Sequence, residues 1–248
     1  PDIARAHRPA TRQPSLRTFV QGNVNMLNTL PPENLADPVH AQSVLDFWLA
    51  DGLALGWPTV DMNKRWFGGG AALDQTIRQQ FGPWVESAMA GGLQEWEQDA
   101  TDGYLPGGIE GGARLALIIL LDQFSRNVFR GTAQAFAGDA RALRLVHEAL
   151  AQGLDVRLPW VARVFLYMPL MHAEQLPLQE ESVRVFGTMA AQAPAELQAK
   201  LTSNFDFAKK HRGIVARFGR FPYRNAVLGR ESTGPELEFL QSGPRFGQ

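Results

Sequence analysis

Apolar positions recur every three or four residues along most of this chain, and that rhythm predicts helices. Asp37-Pro38 opens the first, with Val44, Leu45, Phe47, Trp48 and Leu49 in phase and Gly52 near its end. A loop over 53–61 follows. A second helix begins near Leu73 and carries Ile77, Phe81, Trp84, Val85 and Ala88. Gly82-Pro83 falls inside it and predicts a bend or a break. Gly91-Gly92 ends it, Leu93 and Trp96 add a short turn, and the glycine-rich stretch 101–112 reads as a long loop. The stretch 114–130, RLALIILLDQFSRNVFR, is apolar nearly all round in its first half, as a helix buried in mid-domain is. Asp139 is placed to N-cap the next helix, whose stripe is Leu143, Val146, Leu150 and Leu154. Further helices are predicted over 160–176 with Pro169 in its middle, from Pro177 through Met189, and over 195–212. Ser232 or Thr233, followed by Pro235 and Glu236, caps a short last helix. No segment alternates as a half-buried strand would. The pattern therefore predicts an all-α fold of antiparallel helix pairs around one buried central helix. Residues 1–40 read as a partly irregular N-terminal extension, and 41–248 as a single helical domain.

Composition narrows the function classes. The 24 basic and 25 acidic residues nearly cancel, which argues against nucleic acid or an anionic membrane as partner. With no cysteine, thiolate chemistry, disulfides and cysteine metal sites are excluded. The longest apolar run, Leu115 to Leu121, is far short of a bilayer span, and no signal-like apolar region follows the arginines of the N-terminus. The expected location is the cytoplasm. Composition specifies neither a cofactor nor an oligomeric state.

Three polar clusters stand in apolar surroundings. The first ends the central helix: Asp122, Arg126 and Arg130 form one row on a regular helix, and Gln123 and Asn127 the row beside it. The second is His172 and Glu174, just after Pro169. The third runs from His211 to Asn225 and holds Arg212, Arg217, Arg220 and Arg224 with Phe218, Phe221, Pro222 and Tyr223 between them. Arginine presents a planar fork of donors and stays charged, so Arg126, Arg130, Arg217, Arg220 and Arg224 could converge on a phosphate or carboxylate. Asp122 and Glu174 are the nearby acids by sequence, and they could instead satisfy these arginines internally. His172 and His211 titrate in a range suited to a general base and acid. Asp122, His172, Glu174 and His211 lack a recognised metal-ligand spacing, and no metal is assigned. Gly68 to Gly70 and the GGIEGG at 107–112 lack the strand and lysine of a phosphate loop. His147, on an amphipathic helix, reads as a surface residue.

The stretches LALIILLDQFSRNVFRGTAQAFAGD, FLYMPLMHAE and FGRFPYRNAVLGRESTGPELEFL, with VLDFWL and RWFGGG near the start, resemble those of bacterial domain-of-unknown-function family 924. The resemblance covers roughly 43–240. It implies an all-α, tetratricopeptide-like fold and no particular reaction. Three departures stand out. The family often has proline where this chain has Ser125, histidine where it has Tyr223, and HSE where it has His172-Ala173-Glu174. No imidazole is therefore available at position 223.

Three readings follow. In the first, a binding module holds an anionic small molecule or an acidic peptide terminus between arginine forks, with Asp122, Gln123, Asn127, His211 and Asn225 completing the pocket. In the second, an enzyme uses the same pocket, with His172 or Glu174 moving a proton. In the third, the clusters are a polar core that fixes helix register in an interaction scaffold. Location separates them, because catalysis requires His172 or Glu174 at a cavity that the arginines also line.

Overall fold

The computed structural model describes residues 38–98, 109–244 and 246. The expected extension over 1–40 lies almost wholly outside these residues, as does most of the glycine-rich loop. The described chain is all-helical: α1 Pro38–Leu49, α2 Gly52–Leu55, α3 Ala71–Met89, α4 Gly112–Ile119, α5 Ser125–Val128, α6 Asp139–Ala151, α7 Trp160–His172, α8 Leu176–Ala191, α9 Gln198–Phe218 and α10 Gly234–Ser242. The loop predicted over 53–61 therefore begins with a short helical turn. Pro83 does not break α3, which runs through it for 19 residues. Its seat in an amphipathic helix packed over Ile77, Phe81, Trp84 and Val85 offsets the lost backbone bond.

The central helix is α4 and α5 joined through a π turn at Leu120–Phe124. Everything in it from Arg114 to Val128 is buried. It packs against α1, α3, α6 and α7, so its apolar first half has neighbours on every side. In the π turn the Ser125 N–H donates to the Leu120 carbonyl, five residues back. That leaves the Leu121 carbonyl free to accept from Ser125 Oγ at 2.6 Å. Arg78 of α3 donates to the Val128 carbonyl and caps the helix end. Around the turn, Phe124 meets Trp48 and Phe81 at ring separations of 5.2 and 4.9 Å, a wholly buried aromatic seam.

The short connections at 173–175 and 192–197 fold α8 back on α7 and α9 back on α8, giving successive antiparallel pairs. Beyond α9 the chain returns across the end of α7 and finishes in α10. There the predicted cap is present as a full capping box between Thr233 and Glu236. Asp139, expected as an N-cap, is instead the first residue inside α6, and Gly138 holds the cap position with no side-chain bond. The reason is close approach. A Cβ at Gly138 would sit 2.6 Å from the Leu121 carbonyl oxygen, so only glycine lets this corner lie against the central helix. Asp139 is thereby aimed at Arg126.

Candidate functional site

The π turn, the end of α5 and the end of α7 meet beside a cavity of about 300 Å³. Gln123, Arg126, Asn127 and Arg130 line it from the central helix, at the spacing of one helical face. Met168, Met171 and His172 line it from α7, and Asn204, Phe207 and His211 from α9. A second π turn, Lys64–Gly68, supplies Arg65, Trp66 and Phe67. That turn is pinned to α1: Arg65 donates to the Phe47 carbonyl, and Trp66 Nε1–H to the Trp48 carbonyl at 2.7 Å. Two π turns thus flank one cavity, and such turns are frequent at functional positions. Gly69 completes the lip at φ +56°, where a Cβ would press on the Arg130 guanidinium at 3.1 Å.

Asp122 turns away from the cavity and stands behind it. Its carboxylate takes His172 Nδ1–H at 2.8 and 3.0 Å and Gln123 Nε2 at 2.5 Å, with Arg126 at 3.3 Å. Burial acts to raise its pKa, but the charges of His172 and Arg126 and these hydrogen bonds outweigh it. The carboxyl is held well below the usual carboxylate range. An ionised Asp122 is acceptor-only, so it fixes the His172 tautomer with the proton on Nδ1 and leaves Nε2 for a ligand. The helix end carrying His172 is held in turn by buried Gln179, whose Nε2 donates to the Met171 and Ala173 carbonyls at 2.7 Å each.

Two arginines of the lining, Arg126 and Arg130, are paired with acids that stand outside it. Arg126 is bracketed by Asp122 and by Asp139, whose carboxylate lies 3.0 Å from both terminal nitrogens. Burial works against its charge, and Asp139 and Asp122 together raise its pKa nonetheless. Its Nε has no hydrogen-bond partner among the described residues. Asp74, in the first turn of α3, takes Arg130 by two bonds of 2.6 and 2.9 Å and Asn127 at 2.8 Å. The lining therefore carries Arg65, Arg126, Arg130, His172 and His211, and no carboxylate among its described residues. His211 donates Nδ1–H to the Phe207 carbonyl at 2.8 Å and stacks on Phe246 at 3.8 Å. Burial, then the charge of His172, push its pKa down to about 3, so at neutral pH it is a neutral acceptor rather than an acid.

Six of the residues singled out from the sequence share this cavity: Gln123, Arg126, Asn127, Arg130, His172 and His211. The others stand elsewhere. Ala173 is extended, so Glu174 leaves the helix and points away from His172. It accepts the Phe221 N–H at 2.8 Å and both terminal nitrogens of Arg230 at 2.5 and 2.9 Å. Arg220 forms a two-bond pair with Glu236, and with exposed Arg217 it borders a shallow depression near α10. Arg224 is buried between the faces of Phe136 and Phe221, each 4.6 Å from its guanidinium carbon, with Asp139 at 3.8 Å. Burial and the charge of Arg126 lower its pKa. Asn225 is buried and donates to Ser232 Oγ at 3.0 Å. The five arginines do not converge on one point. Sequence reasoning missed Asp74, Asp139 and Arg65. Only the cap position of Asp139 and the first-turn position of Asp74 carried any signal, and both signals pointed to helix ends. Among the described residues no three His, Asp or Glu side chains are grouped to hold a metal ion. No helix among them is long and apolar enough to cross a membrane.

A family model described as a bacterial protein of unknown function, DUF924, matches residues 44–244. A solved structure, described as a protein of unknown function, ATU0120 from Agrobacterium tumefaciens, is 32% identical. It matches with a TM-score of 0.65 over 83% of this chain and 98% of that one. No curated protein matches the chain.

Proposed function

The chain belongs to the bacterial DUF924 family, and we propose that its cavity is the active site of an enzyme hydrolysing a small anionic molecule, with His172 as general base. The observation that carries this is the pairing of the buried Asp122 carboxylate with His172 at a wall that also presents Arg126 and Arg130. Asp122 orients the imidazole and stabilises its cation, the task of the acid in any Asp–His pair. The arginines and Asn127 hold a carboxylate or phosphoryl group, their own acids lying behind them as fixed props. No serine, threonine or lysine is among the described residues of the lining, so the nucleophile is water. His172 Nε2 takes its proton as the water oxygen bonds to the carbonyl carbon or phosphorus, and returns that proton to the leaving oxygen as its bond to the same atom breaks. Glu174 has no part in this, being engaged by Arg230 and Phe221. A second reading, a binding module without chemistry, draws on the same arginine lining, while the internal pairing of Arg126 and Arg130, which leaves a ligand fewer of their donors, favours a polar core that fixes helix register.

The test is a thermal-shift panel of carboxylates, phosphate and phosphate monoesters, followed by assay of esters and phosphoesters of whichever anion binds. A ligand at one hundred times its Kd adds about 2.7 kcal/mol, roughly 5–10 °C in a domain of this size. His172→Gln is expected to keep that shift and lose turnover by about 10²–10⁴-fold. Turnover at the wild-type rate in His172→Gln defeats the general-base role. Binding with no turnover of any ester leaves the binding module, and no shift with any anion removes both.

A further inference from the structure

The anion cavity does not end at its apolar wall. A second cavity of about 570 Å³ lies beside it and shares Trp66, Phe67, Asn204 and Phe207 with it. Three of those four are aromatic. Phe67 and Phe207 are about half exposed, at 53% and 42%, although each stands between two hollows that a ligand could cover. The two cavities differ in their cations and in their floor. Three arginines and two histidines line the first. The second has an apolar floor of Pro58, Met62 and Val164, all buried, with Trp57 and Trp66 at its sides. Its polar groups, Thr59, Asp61, Asn63, Lys200 and Ser203 with half-buried Asn204, form a rim, and three of them are already engaged, Lys200 lying over the Trp57 ring at 5.4 Å. Thr59 donates to Asp51 through both its N–H and its hydroxyl, and Asp61 accepts from the Asn63 N–H at 2.9 Å. Little on that floor would hydrogen-bond a ligand, whereas its apolar surface gains from being covered. The two hollows together lie within the range of about 300–1,000 Å³ usual for small-molecule sites.

We infer that the ligand is an amphipathic anion, whose carboxylate or phosphate head sits by Arg126 and His172 and whose aliphatic or arylalkyl tail crosses Phe67 and Phe207 into the second cavity. This rests on the anion reading of the first cavity and adds the chemical class of the rest of the molecule. It explains why two large aromatic side chains stand exposed at the junction. It also assigns Trp57, Met62 and Val164 to recognition of the tail, with no contact to the reacting atoms.

The experiment is calorimetric titration of the full chain with straight-chain carboxylates from butanoate to dodecanoate, each below its micellar concentration. It is repeated on Ser203→Trp, with octanol as an uncharged control. Ser203 is exposed on α9 and lines only the second cavity, so a tryptophan there fills that hollow without touching the arginines. In wild type, Kd is expected to fall by about three- to fourfold per methylene once the chain outgrows the first cavity, the gain for burying a CH₂. In Ser203→Trp the short acids should bind as before and the gain with length should vanish. Ala199→Trp, one helical turn away on the same wall, should act alike. Butanoate binding with no gain on lengthening overturns the tail site and leaves the anion site standing. A gain that survives both tryptophan variants also overturns it, by placing the tail elsewhere. Octanol binding as well as octanoate instead overturns the anion site, and an absence of binding at every length overturns both.

Discussion

Two arginine-rich regions of this protein pair their arginines with acids by the same geometry in different surroundings. At the cavity, buried Arg126 and partly exposed Arg130 belong to the lining, and their acids, Asp122, Asp139 and Asp74, lie outside it. Beyond α9, Arg220 and Arg230 are closed on Glu236 and Glu174, and those pairs tie the returning chain to α10 and to the end of α7. In the first arrangement the paired guanidinium borders a hollow whose described lining holds no carboxylate. In the second the acid shares the same surroundings as its arginine, and the pair acts as a clamp between chain segments. A count of arginines cannot separate the two, and neither can pairing geometry: Arg130 and Arg220 both pair through Nε and a terminal nitrogen, Arg126 and Arg230 through both terminal nitrogens, and the difference lies in what the paired guanidinium borders.

The largest expected effect tests the acid behind the cavity. Asp122→Ala strips a buried carboxylate from His172 and Arg126 and should cost about 3–5 kcal/mol in urea unfolding, with loss of turnover. A stable, active Asp122→Ala protein would break the comparison at its centre. Glu174→Ala tests the clamp. It removes two charged hydrogen bonds to Arg230 and one to the Phe221 N–H, and should cost about 2–3 kcal/mol. Anion affinity at the cavity should be unchanged; a loss of affinity equal to that of an Arg130→Ala protein would merge the two regions into one site.

Acid stability sharpens the picture on the cavity side. Buried His211 faces His172, Arg224 and the ring of Phe246, and its pKa is depressed from its ordinary value near 6.5 to about 3. The unfolded chain therefore binds the extra proton between those values, and stability falls as pH drops from 6.5 toward 3. The loss at pH 5 is on the order of 1–2 kcal/mol. His211→Gln should flatten this limb of the pH profile, and an unchanged slope would show that His211 is not buried neutral. Asp122 adds a separate loss at lower pH. Its depressed pKa makes its contribution complete above the unfolded value near 3.9, and that contribution disappears as pH falls through the folded one. The smallest effect is expected from Arg217→Ala. This exposed side chain lies against the Phe218 ring and away from the cavity. A measurable change in anion binding there would return the third cluster to the site.

Periodicity alone determined much of this protein. The all-α class, the buried central helix, the final capping box and the rough helix order all follow from local spacing and cap chemistry, which act within a few residues. The face holding Gln123, Arg126, Asn127 and Arg130 was legible for the same reason, and so was His172 as a residue of interest. Tertiary structure decided the rest. Asp74 reaches Arg130 across 56 positions, and Asp139 meets Arg126 only because Gly138 lets α6 touch the central helix. One extended residue, Ala173, sends Glu174 to Arg230 and leaves His172 with Asp122. A charged side chain in a core must find a counter-charge, and sequence states that need without naming the partner. The partner is whichever acid the packed helices bring within about 3 Å, because electrostatic pairing reads distance in space and not along the chain.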